Sequence, residues 1–154
     1  MNDEFFMKAA LEEARAAVLE GEIPVGAVIV KEGKILGRGR NFRKRKGSPL
    51  GHAEIAALED AAQNTGSWRF DGCTIYVTLE PCVMCTGAIV QCRLSRIVYG
   101  ARDPKAGGCG SLYEIARDPR MYHRCQVVSG IFKKEASELL REYFAAKRKR
   151  TGLR

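Results

Sequence analysis

Over residues 3–20 the apolar positions Phe6, Ala10, Leu11, Ala14, Ala17 and Val18 recur at helical spacing, and Gly21 supplies a stop. Residues 25–30 are apolar throughout, as in a strand covered on both faces. Lys31-Glu32-Gly33-Lys34 turns the chain, and 35–40 returns antiparallel. The helical period resumes from 51 to about 65, with Ile55, Ala56 and Leu58 on the apolar stripe and Gly66 behind it. Residues 73–79 form a β-branched, aromatic-bearing strand that leads into a second helix from 81 to about 92. A fourth strand at 96–101, a Gly- and Pro-bearing loop at 103–110, a short helix at 111–116 and a fifth strand at 125–129 follow. The last helix covers 134–147, with Leu139, Leu140, Tyr143 and Phe144 on or near its inner face. Phe5 and Phe6 read as core or interface, and Trp68 as a packing residue. Strands separated by helices imply right-handed crossovers and parallel pairing, and the opening hairpin adds an antiparallel strand. The expected fold is α/β, a three-layer α/β/α sandwich around a mixed five-stranded sheet.

The length of 154 residues suits one domain, expected to span 1–154 with a basic C-terminal tail. No apolar run is long enough to span a membrane. Met1-Asn2-Asp3-Glu4 is acidic and lacks a signal-peptide pattern, so a cytoplasmic protein is expected. The six cysteines are then thiols or metal ligands and not a disulfide framework. Cys73, Cys92, Cys109 and Cys125 sit in or beside apolar runs and default to small buried side chains. The formal charge of +8 points to a polyanionic partner, most simply nucleic acid, although a solvated basic surface has the same composition. Two runs concentrate the charge. Six of the nine residues 38–46 are Lys or Arg, ending in Arg43-Lys44-Arg45-Lys46, and the last helix closes on Lys147-Arg148-Lys149-Arg150. The first run is expected to form a loop, and it stands just before His52, a place that suits RNA.

Two segments carry the chemistry: Gly51-His52-Ala53-Glu54 and Pro81-Cys82-Val83-Met84-Cys85. His52, Cys82 and Cys85 are three zinc ligands by type and spacing, which leaves one tetrahedral position for a catalytic water on a single Zn²⁺ per chain. Pro81 suits the first position of a helix, with Cys82 and Cys85 three apart on one face of its opening turn. The positive helix end favours their thiolates. His52 and Glu54 are two apart and share no helix face. They reach one site only if it lies off the helix N-terminus, so two helix N-termini are expected to point at one metal. Glu54 is then a proton carrier outside the ligand set. A C-x-x-C alone also suits a structural zinc half-site or a redox pair; H-x-E with P-C-x-x-C is far more specific and marks the zinc nucleobase deaminases.

The chain resembles the bacterial tRNA-specific adenosine deaminases of the cytidine-deaminase-like superfamily. The likeness rests on Ile23-Pro24-Val25-Gly26-Ala27-Val28, Asn41, His52-Ala53-Glu54, the run from Tyr76 to Cys85, Gly100-Ala101-Arg102-Asp103, Gly110-Ser111-Leu112, His123-Arg124 and the Phe144 helix. It implies zinc-dependent conversion of adenosine to inosine at the wobble position of a tRNA anticodon loop, by a homodimer. It also implies that Asn41 holds the target nucleotide, that Asp103 and His123 contact RNA, and that Phe144 packs against a splayed-out neighbour. The chain departs from the family at Leu50-Gly51, usually Thr-Ala, and at Tyr122, usually Asn. These departures bear on substrate choice. The competing readings are a deaminase of a free base or nucleoside, of guanine or cytosine type, and a non-catalytic RNA-binding domain held by structural zinc. Glu54 argues against the second.

Overall fold

The computed structural model describes residues 2–152. Five strands, β1 (Gly26–Lys31), β2 (Lys34–Arg40), β3 (Thr74–Leu79), β4 (Arg96–Ala101) and β5 (Gln126–Ser129), form one sheet in the order β2-β1-β3-β4-β5. The β1 strand runs antiparallel to β2 and β3, while β3, β4 and β5 are parallel. The helices are α1 (Asp3–Leu19), α2 (Arg43–Lys46), α3 (Ala53–Thr65), α4 (Val83–Gln91) and α5 (Lys133–Thr151).

Period-two alternation sorts each strand between two helical layers. Ala27 and Ile29, Ile75 and Val77, and Ile97 and Tyr99 share a core with Ala53 and Ala57 of α3 and Ile89 and Val90 of α4. Val28, Val30, Tyr76 and Val98 share the opposite core with Phe6, Met7 and Ala10 of α1. Leu11, Ala101 and Ala136 tie α1, β4 and α5 together. The result is a three-layer α/β/α sandwich around a mixed five-stranded sheet. Two details fix the helices. The Asn2 side chain accepts from Phe5 N at 3.1 Å and caps α1, and Asp3 beside it accepts from Arg96 at 2.7 and 2.6 Å and from Tyr76 Oη at 2.9 Å. On β2, a Cβ at Gly39 would collide with Ala53 O and Ala57 N, so α3 lies directly on the strand backbone.

Several expectations are corrected. Residues 111–116 form no helix. Glu80 takes the Ser111 amide, the Leu112 and Tyr113 amides converge on Gly107 O, and Ile115 N turns to Gly108 O, so no helical ladder forms. The basic run Arg43–Lys46 is a single helical turn, because the Glu22 carboxylate accepts from Lys44 N and Arg45 N at 3.2 and 2.6 Å. Pro81 precedes α4 instead of starting it, and Cys82 takes the cap position. Helix α5 runs on to Thr151, past the expected end at 147. Trp68 is exposed and packs in no core.

The start of β1, the ends of β2, β3 and β4, and the N-termini of α3 and α4 all lie along one edge of the sheet. The motif residues gather there.

Candidate active site

His52 is the N-cap of α3 and Cys82 the N-cap of α4, both in extended backbone, with Cys85 in the first turn of α4. His52 Nδ1 lies 3.4 Å from Cys85 Sγ and 3.6 Å from Cys82 Sγ. One tetrahedral zinc with ordinary Zn–S and Zn–N lengths sets its sulfur and nitrogen donors about 3.5 Å apart, so the donor set fits the metal. Among the described residues this is the one group of three or more His, Cys, Asp or Glu side chains gathered closely enough to hold an ion. Cys73, Cys92, Cys109 and Cys125 are free thiols outside it.

The two thiols divide one proton. Cys85 donates to Cys82, and that bond, helped by His52 against the cost of burial, draws Cys82 down to about 4. Cys85 is driven up by the same bond, by burial and by the charge of Glu54. The bond to Cys82 likewise raises His52. Glu54, second in α3, is buried, and desolvation lifts its carboxyl to about 7.

His52, Glu54 and Cys82 line a cavity of about 450 Å³, and Cys85 is buried behind them. Val25 and Leu79 form its apolar walls, Leu140 and Phe144 of α5 close one side, and Arg43, Arg102, Asp103 and Lys105 stand around it. Asn41 lines it too, buried, and accepts from Ala53 N at 2.9 Å, so it also fixes the start of α3. Asp103 Oδ1 accepts from Lys105 N and Ala106 N at 3.1 and 3.2 Å, which shapes the turn it sits on. Phe144 is 38% exposed and meets Tyr143 edge to face, with ring centroids 5.2 Å apart.

His123 is not brought to this cavity. Its Nε2 bonds Leu94 O at 2.6 Å, just ahead of β4 and so at the other end of the parallel strands. Tyr122 is exposed and stacks with Arg93 at 4.7 Å, also away from the cavity lining. Gly51 has a direct structural reason. A Cβ there would come within 2.6 Å of Arg43 N and 2.7 Å of Arg43 Cα, so the basic turn closes on the residue before His52. Leu50 is exposed. Reading by motif missed Glu22 and Glu80, two buried carboxylates whose partners are backbone amides of distant segments. Arg102 and Lys105 were missed as cavity residues; their closeness to Asp103 was the available signal. The two basic runs meet beside the cavity in a groove of about 470 Å³ that Arg43, Lys44 and Lys147 line.

The sequence model of the MafB19-like deaminases matches residues 1–148. A tRNA-specific adenosine deaminase of Bacillus subtilis (strain 168) is 42% identical over 148 residues, 96% of this chain and 92% of that protein. One from Aquifex aeolicus (strain VF5) is 42% identical over 144 residues, 94% and 95% of the two chains. A solved structure from a study of A-to-I editing by tRNA:A34 deaminases at the wobble position of transfer RNA superposes with a TM-score of 0.85 at 40% identity, covering 88% of this chain and 99% of that one. The guanine deaminase from Nitrosomonas europaea superposes with a TM-score of 0.77 at 28% identity, over 92% and 84%.

Proposed function

The chain belongs to the tRNA-specific adenosine deaminase family, and from that membership we propose that it hydrolyses adenosine to inosine at the wobble position of a tRNA anticodon. The observation that carries the reading is Glu54, a buried carboxyl at the floor of the same cavity as His52 and Cys82 but outside the ligand set.

His52, Cys82 and Cys85 would hold one Zn²⁺. A zinc ion bound there supplies Lewis acidity that makes hydroxide accessible at neutral pH. Glu54 takes the proton of the attacking water and delivers it to the adenine ring nitrogen as the oxygen adds at the carbon bearing the amino group. It then takes the remaining proton from the added hydroxyl and passes it to the amine as the C–N bond breaks, which leaves the carbonyl of inosine and releases ammonia. A carboxyl in this place can both accept and release a proton, and such acid–base help is worth about 10²–10⁴-fold. Asn41 holds the target nucleotide, Asp103 contacts RNA beside it, and Phe144 packs against a neighbouring base. The reacting base must leave the stack, which an anticodon loop allows at low cost.

The whole domain serves this one site. We also propose that the chain forms a homodimer, which would cover exposed apolar side chains, Val83, Leu112 and Tyr113. No helix among the described residues is long and apolar enough to cross a membrane, and a tRNA substrate suits the cytoplasm. A free-base deaminase is disfavoured, because the guanine deaminase neighbour stands at 28% identity against 42% for the tRNA enzymes.

Incubating the zinc-loaded protein with total tRNA and sequencing the product tests the reading. A-to-G changes confined to a wobble position are expected. Unchanged tRNA together with turnover of guanine or cytosine would contradict it.

A further inference from the structure

Glu80 stands between β3 and the Pro81-Cys82 motif and is 2% exposed. Both of its carboxyl oxygens are met by donors from one distant stretch of chain. Oε1 accepts from Asp103 N at 3.1 Å and from Ser111 Oγ, and Oε2 accepts from Cys109 N at 3.1 Å and Ser111 N at 3.0 Å. The stretch is wrapped tightly on this carboxylate, since a Cβ at Gly107 would collide with Glu80 Oε2. Gly108 N adds a bond to Pro81 O at 2.8 Å. The same stretch supplies Arg102, Asp103 and Lys105 to the cavity.

Resting on the deaminase reading, we infer that Glu80 is a positioning residue for the substrate: its carboxylate holds the 102–111 segment as the wall against which the target nucleotide binds. Glu80 acts through Asp103 and its neighbours and takes no part in proton transfer. The role requires two acceptor oxygens. A glutamine has the same size, but its amide nitrogen faces backbone N–H donors whichever way it is turned, so at least one amide loses its partner.

The test compares the wild-type, Glu80→Gln and Ser111→Ala full-length proteins, each zinc-loaded. KM and kcat are measured on an anticodon stem-loop RNA with adenosine at the wobble position, alongside zinc content and amide hydrogen exchange. Glu80→Gln should keep its zinc and raise KM about tenfold or more, with kcat within about threefold, because wall contacts bind the substrate and leave Glu54 in place. The Asp103, Cys109 and Ser111 amides should exchange about tenfold faster, while those of α4 stay protected. Ser111→Ala, which deletes one of the hydroxyl and amide bonds, should raise KM about threefold. Wild-type KM and exchange in Glu80→Gln would overturn the inference, as would lost zinc or kcat at unchanged KM. Should Glu80→Gln fail to fold, a wild-type KM in Ser111→Ala overturns it. If the wild type itself makes no inosine, the deaminase reading fails, and the exchange data still decide whether Glu80 holds the segment.

Discussion

Glu54 occupies the first turn of α3, where the helix N-terminus favours an anion, yet burial is the larger effect and its carboxyl rises to about 7. The cysteines divide just as sharply. Cys82→Ala and Cys85→Ala each remove one of three donors, and elemental analysis of the purified variants should find the zinc gone. Cys109 is also buried, but its Sγ lies 3.3 Å from Thr86 Oγ1 and belongs to no metal group. Cys109→Ala should keep the zinc and cost about 1 kcal/mol for a small void; loss of metal in this variant would mean four protein ligands and a structural site. The ligand set and Glu54 were legible in the sequence because chemistry limits which residue types can do these jobs at such spacings. Glu22 and Glu80 were not legible. A carboxylate that serves backbone amides leaves no pattern in its own neighbourhood, and the partners of Glu80 lie 23 to 31 positions away. His123 shows another limit, since the resemblance marks it as an RNA contact and nothing in its own neighbourhood shows that the fold sets it against Leu94 O, outside the cavity lining.

At the level of elements, hydrophobic period set the strands and long helices well, since each strand face and helix stripe must be buried. It failed where backbone amides are drawn off by side chains, as at residues 111–116 and in the α2 turn. Close packing of β2 on α3 gives one prediction. Gly39→Ala pushes a methyl against the α3 backbone and should cost about 1–3 kcal/mol, read as a lowered urea midpoint. Because α3 carries His52, zinc affinity should fall as well. The latch of α1 gives another. Asp3, held below its usual pKa chiefly by the hydrogen bonds to Arg96, is a depressed carboxylate. Its stabilising effect is complete above its unfolded value of about 3.9 and fades as pH falls through the lower folded value. Asp3→Ala should therefore lose about 1–3 kcal/mol at pH 7, and the gap to wild type should close on acidification towards pH 3. Urea unfolding at both pH values checks this.

Across the whole molecule the charge of +8 is organised, not diffuse. Arg40 and Arg45 are occupied by Glu13 and Glu20, whereas Arg43, Lys44 and Lys147 line the groove that continues from the active-site cavity. Neutralising Arg43 and Lys147 should weaken binding of an anticodon stem-loop and flatten log affinity against log salt by roughly 0.7–0.9 per lost phosphate contact, with the edited base unchanged. An unaltered slope would make the groove mere solvated surface. The proton-carrying role of Glu54 beside a metal it does not bind is tested most directly by Glu54→Ala. Zinc content, stem-loop affinity and inosine yield are measured on the same preparation. The variant should retain its zinc, bind RNA as wild type does and form inosine at least about 10²-fold more slowly. Turnover near the wild-type rate with zinc in place would contradict that role.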